Sequence, residues 1–224
     1  RLNMKVETYA VTITGLTPLL MHYDNIAHAD EMEAWKNDPN SKKLSKAGDD
    51  RTPAWRWIGC VYHDGQRVVM PFENIQRAIM DGAVMVPVPG GKMGKTFKAQ
   101  SQSGMSVPRD FVLTVNGHEV PWEKIFSLKE ERHFGLHIAK ARELGFSLFV
   151  KRAKIGMSKH IRVRPRFDTW QLDGIVQVSD QQITKQILET ILDAAGTYKG
   201  LGDWRPGGKT PGNYGMFSAR VRLA

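Results

Sequence analysis

Residues 169–196 read TWQLDGIVQVSDQQITKQILETILDAAG, and the change of period inside this stretch decides the fold class. Thr169–Val178 has strand character. From Ser179 onward the apolar residues Ile183, Ile187, Leu188, Ile191 and Leu192 recur on one face of a 3.6-residue helix. Ser179 or Asp180 serves as its expected N-cap and Gly196 as its stop. Downstream, a glycine-rich loop runs from Lys199 to Gly215, and MFSARVRL closes the chain as an alternating strand.

Working back toward the N-terminus, Tyr9, Val11 and Ile13 alternate with Ala10, Thr12 and Thr14. This pattern predicts a strand with one buried face. Thr17-Pro18 breaks it, and a polar, partly helical stretch follows through Trp35. Residues 37–53 read as an exposed insertion rich in turn formers and charge. WRWIGCVY and RVVMP, joined through Asp64-Gly65, predict a hairpin. Pro71–Asp81 predicts a helix with Pro at its start and with Phe72, Ile75 and Ile79 on one face. Residues 84–108 combine Pro, Gly, Ser and lysine without sustained periodicity and read as a second insertion. Asp110–Val115 resumes strand character, and Val120–Leu128 reads as a short helical connection. No internal repeat is present. The order of strands and helices predicts an α+β protein, one domain over residues 1–224, built around a split β-α-β core.

Composition narrows the function. The chain is 41% hydrophobic and 25% charged, ordinary for a globular protein with a core. It has neither an apolar run long enough to span a membrane nor a visible secretory signal. The lone Cys60 excludes an internal disulfide and a cysteine-based zinc site. A reducing cytoplasm is the expected compartment, with no membrane partner. The formal charge is +9, and residues 81–224 carry the whole excess, with 22 basic against 13 acidic residues. Such a placement points to a polyanion, nucleic acid first.

The charge is densest in KRAKIGMSKHIRVRPR, residues 151–166, with seven Lys/Arg and no acid: Lys151, Arg152, Lys154, Lys159, Arg162, Arg164 and Arg166. The last three alternate with Ile161, Val163 and Pro165, which puts three guanidiniums on one strand face. Like charges so spaced repel unless an anion compensates them. Phosphate gripping and a solvated edge strand guarded by charge both fit the pattern. GGKMGKT at 90–96 lacks the first Walker A glycine, since Pro89 stands there. Lys92, Lys95 and Lys98 make this either a flexible basic loop that folds over nucleic acid or a plain surface insertion. In KGLGDWRPGGKTPGNYG, Gly200 and Gly202 head six glycines that permit close backbone approach and exposed N–H groups for phosphate. Arg205 and Lys209 add charge, and Trp204 and Tyr214 offer stacking faces for bases. His133 and His137 stand at i, i+4 without the H-E-x-x-H pattern, and neither a catalytic nor a metal-binding residue set stands out. His22 or His28 is the candidate base, with a lysine or tyrosine, if the chain cleaves RNA.

Three segments carry a family resemblance. VTITGLTPLLMH is similar to the first strand and following loop of the RAMP superfamily of CRISPR-associated proteins. RVVMPFENIQRAIMDGA resembles that family's strand, proline and helix, and GLGDWRPGGKTPGNYGMFSARV its glycine-rich loop and last strand. The resemblance implies an RRM-like, ferredoxin-like antiparallel sheet core with long basic insertions. It also implies a non-catalytic backbone subunit, without cofactor or metal, that holds single-stranded guide RNA beside copies of itself and other effector-complex subunits. Target nucleic acid is a further implied partner. Some relatives cleave target RNA through an aspartate after the first strand, where Asp24 and Asp30 stand here. A guide-RNA-processing endoribonuclease of the same superfamily and a phage or plasmid single-strand-binding protein are the competing readings.

Overall fold

The computed structural model describes residues 5–43, 53–155 and 158–224, with the side chains of 152–160 left out. In chain order the elements are β1 (Glu7–Gly15), β2 (Leu19–Leu20), α1 (Ile26–Asn37), α2 (Pro39–Lys42), a 3-10 helix (Ala54–Cys60), β3 (Val69–Met70) and α3 (Phe72–Ala83). There follow α4 (Lys98–Ser103), β4 (Met105–Ser106), β5 (Phe111–Val115), β6 (His118–Glu119), α5 (Trp122–Phe126), a second 3-10 turn (Ser127–Glu130) and α6 (Phe134–Glu143). The chain ends with β7 (Ser147–Ile155), β8 (Ser158–Phe167), β9 (Gln171–Val178), α7 (Lys185–Tyr198) and β10 (Phe217–Leu223). The protein is α+β.

The main sheet has the order β10-β1-β9-β5-β3, with every pair along it antiparallel. Alternation along β1 sends Tyr9, Val11 and Ile13 into the core, and Ala10 and Thr14 to solvent. Helices α3 and α7 lie against the buried face. Ile75 and Ile79 of α3 and Leu188, Ile191 and Leu192 of α7 are fully enclosed with it. Burial of such side chains contributes roughly 1.5–3 kcal/mol each. Two glycines let these layers touch. A methyl group on Gly82 would collide with the Ile191 carbonyl, and one on Gly196 with that of Phe217.

A second, three-stranded sheet has the order β2-β8-β7. The chain passes between the two sheets twice at one corner, from β1 to β2 and from β8 to β9. Trp170 fixes that corner. Its indole N–H donates to the Thr17 carbonyl at 2.8 Å, and its ring lies on Gly15, where a methyl would strike it. Behind the small sheet, the buried Trp57 donates to Nδ1 of His137 at 3.0 Å and packs edge-on against Phe146, which meets Phe167.

Several local expectations differ from the structure. WRWIGCVY is not a strand. Ala54–Cys60 coils as a 3-10 helix with Trp57, Ile58 and Gly59 consecutively buried, unlike the alternation of a strand with one solvent face. Only the His63↔Val68 bridge and the turn remain of the hairpin, with Asp64 accepting from the Gln66 and Arg67 amides. Helix α7 starts at Lys185 under a Thr184 cap instead of at Ser179 or Asp180. Those two are taken by other bonds: the Ser179 amide donates to the Gly104 carbonyl, and Asp180 closes a turn on Gln182. The helix also continues through Gly196. Finally, 84–108 is a built segment. Val86, Phe97, Met105 and Val107 are buried at irregular spacing, α4 packs by α3, and β4 joins β9. Phe72, expected on the apolar face of α3, is 42% exposed. Of the expected loop 37–53, residues 39–42 form α2, and 44–52 lie outside the described residues.

Candidate nucleic-acid interface

The basic run is a hairpin, β7 paired with β8, with Lys151 opposite Arg162, Phe149 opposite Arg164 and Ser147 opposite Arg166. Antiparallel partners project from the same face. The expected arginine face is present, and Phe149 and Lys151 belong to it. On the other face Val163 and Pro165 are buried.

Facing this hairpin is the glycine-rich loop, and its backbone explains its composition. Gly200, Gly202 and Gly215 all have positive φ. A side chain on Gly202 would strike the Leu20 carbonyl, which accepts the Asp203 amide at 2.8 Å. The Gly215 amide donates to Pro18, and its carbonyl accepts from Leu201. The amides of Gly200, Gly207, Gly208, Gly212 and Tyr214 likewise donate within the protein. The expectation of a row of free N–H groups for phosphate is therefore corrected at these positions. Here the glycines serve close packing, and Gly200 is buried.

Between hairpin and loop lies a cleft of about 530 Å³, lined by Leu20, Phe149, Lys151, Arg162, Arg164, Gly202, Asp203, Trp204, Arg205, Gly208, Lys209 and Thr210. Trp204 and Tyr214 stack at 5.8 Å and 12°, and Phe149 meets both at 6.4 and 5.9 Å. The Lys151 ammonium lies 3.1 Å from the Trp204 ring centroid, a close cation–π contact.

The three arginines are not equivalent. Arg164 is ion-paired with Asp203, and its side chain is only 13% exposed. Arg166 donates to Asp168 at 2.7 Å. Arg162 is exposed and has no ion pair among the described residues. The like-charge repulsion expected along the strand is thus relieved from within at two of three positions. Arg162, Arg205, Lys209 and the displaceable Lys151 remain as cations facing the cleft.

Of the other expected site residues, the side chains of Arg152, Lys154 and Lys159 lie outside the described residues. Lys92, Lys95 and Lys98 are exposed but not beside the cleft. Their segment ends in β4, whose Met105 pairs with Val178, itself opposite Glu7 at the start of β1. The glycine loop bonds Pro18 and Leu20, beyond the other end of that nine-residue strand. The two features therefore sit at opposite ends of the sheet. The residues that sequence reasoning missed are Phe149 and Asp203. Phe149 alternates with Lys151, a signal that appears once 147–155 is read as a partner strand.

A second cavity of about 210 Å³ adjoins the first and shares Gly202, Asp203 and Arg205 with it. His22, Tyr62, Asn74, Arg77, Ala78, Gly200 and Leu201 complete its wall. The His22 imidazole lies 3.3 Å from the Arg164 guanidinium. Burial and that neighbouring charge hold its pKa below the ordinary value, against an opposing pull from Asp24. Burial also raises the nearby Cys60 thiol to about 11. His28 is occupied structurally, with its ring on Gly59 and Nε2 at 2.9 Å from the Arg56 carbonyl. His137 has both ring nitrogens engaged, Nδ1 by Trp57 and Nε2 by the Glu131 carbonyl at 2.9 Å, which accounts for it without a metal. Asp24 and Asp30 are both exposed, the former 3.9 Å from His22.

No family model matches the chain, and no curated protein is significantly similar to it. Among the described residues, no helix is long and apolar enough to cross a membrane.

Proposed function

We propose that the cleft between the β7–β8 hairpin and the glycine-rich loop holds single-stranded RNA by its backbone. One observation carries the reading: the rings of Phe149 and Trp204, backed by Tyr214, line one cleft with cations that no acid holds among the described residues. Rings give sequence-tolerant stacking for unpaired bases, and cations track the phosphates. A rigid duplex keeps its bases inside, out of reach of such rings.

The sheet supports an RRM-like, ferredoxin-like core. Its four principal strands run β1, β5, β9, β10 in the chain and β10-β1-β9-β5 in space. Helices α3 and α7 follow the first and third of them. With the three segments that resemble the RAMP superfamily, this favours a guide-RNA-binding backbone subunit of a CRISPR effector complex, working beside further copies and other subunits. The test is binding of labelled oligouridylate over a salt series. Arg162→Glu is expected to weaken binding and to lower the log–log salt slope by about 0.7 or more, the loss of one single-strand phosphate contact. Unchanged affinity and slope would remove Arg162 from the site.

A metal-independent ribonuclease is the second reading. It is favoured by the solvent-accessible His22 imidazole beside Arg164, its pKa held below the ordinary value, with the Tyr62 hydroxyl donating to the His22 backbone carbonyl. Incubation with a repeat-containing precursor separates the two, since a pure binder leaves the RNA intact.

A further inference from the structure

The small cavity beyond Asp203 has no role in the RNA-holding reading of the aromatic cleft, yet its chemistry is specific. Arg77 and Asn74 come from the first two turns of α3, Arg205 from the glycine loop, and His22 from the chain after β2. Side chains bearing two guanidiniums, an amide and an imidazole thus line about 210 Å³, room enough for a phosphodiester. Its one carboxylate, Asp203, is engaged by Arg164. Among the described residues, Arg77 is held only by an i, i+4 pair with Asp81 at 3.0 Å and is 68% exposed, so its head can swing inward at small cost. Arg205 lines both cavities, making them successive compartments of one track divided at Gly202–Asp203.

We infer that this cavity is a second phosphate subsite, in which Arg77, Asn74 and Arg205 take the backbone of the same strand as it leaves the aromatic cleft. The inference rests on the nucleic-acid reading of that cleft and extends the contact surface to α3. Arg77 becomes an RNA-positioning residue that the charge pattern of the sequence does not reveal, because it stands alone on an otherwise unremarkable helix.

The experiment compares Arg77→Gln with Lys185→Gln on an oligouridylate of about twelve nucleotides, long enough for both compartments. Lys185 is a matched control. It forms the same kind of exposed i, i+4 pair, with Glu189 at 3.9 Å, on a different helix. Arg77→Gln is expected to lower the salt slope by about 0.7, which makes its loss of affinity about threefold larger at 50 mM than at 200 mM salt. Lys185→Gln is expected to match the wild type, and both variants to melt as it does. Arg77→Lys, which keeps the charge, is expected to restore most of the slope. If the Arg77→Gln slope equals that of the wild type, or both Gln variants lose equally through bulk charge, the subsite is overturned and the aromatic cleft stands. If the wild type binds neither oligouridylate nor a mixed-sequence RNA, the nucleic-acid reading falls and takes the subsite with it.

Discussion

Asp203 holds Arg164 where a phosphate would otherwise sit, and replacing it gives a sharp expectation. Asp203→Asn keeps the side-chain shape and the backbone bond to Leu20 but removes the charge that engages the guanidinium. The freed Arg164 then faces the cleft with an unmet charge. A charge-assisted hydrogen bond contributes about 1.5–3 kcal/mol, so RNA affinity should rise roughly tenfold to a hundredfold. The salt slope should steepen by about 0.7, one added phosphate contact. Stability should fall by about 1–3 kcal/mol. This is less than for a fully buried pair, because Asp203 stays 30% exposed. The assay is fluorescence anisotropy with labelled oligouridylate over about 50–200 mM salt, beside thermal melts. Arg164→Gln closes the cycle. In the wild type it leaves the Asp203 carboxylate unpaired in the cleft wall and should weaken binding, and in the Asp203→Asn background it should abolish the gain. An Asp203→Asn variant that folds as the wild type does but shows unchanged RNA affinity and salt slope would refute the reading of Arg164 as a masked phosphate contact.

Three further outcomes follow from the same geometry. Trp204→Ala should remove a base-stacking face and the Lys151 perch, weakening RNA binding by about 1–3 kcal/mol; the lost share of tryptophan quenching on titration reports it directly. Gly202→Ala should destabilise the protein by about 1–3 kcal/mol, since it combines a positive φ with a collision at the Leu20 carbonyl; the denaturant midpoint measures this. Burial lowers the pKa of His22, His28, His63 and His137 below the ordinary value near 6.5, so the unfolded chain binds protons first as pH falls. Stability should therefore be held above about pH 6.5 and lost progressively below it, and His137→Gln should flatten that dependence.

Much of the fold was legible in the sequence because it rests on simple periods. Tyr9, Val11 and Ile13 reported β1, and Leu188, Ile191 and Leu192 reported α7, since each pattern matches one buried face. The failures share a cause. In Ala54–Cys60 and 84–108, burial is decided by individual contacts, such as Trp57 on His137, and no repeating face exists to be read. The aromatic–basic cleft was half legible. Its cations and two of its rings lie in conspicuous segments, but hairpin register alone brings Phe149 and Arg164 together. Asp203 was invisible as a partner because its arginine lies 39 residues away in sequence, across the cleft. Arg77 was hidden for the same reason, since only tertiary packing carries α3 to the edge of the glycine loop.

Purification of the protein from its native host at low salt asks directly whether the cleft binds single-stranded RNA. Such RNA should co-purify, be released by high salt and be reduced in yield by Arg162→Glu. A preparation free of nucleic acid that also fails to bind added single-stranded RNA at low salt would contradict RNA binding by the cleft.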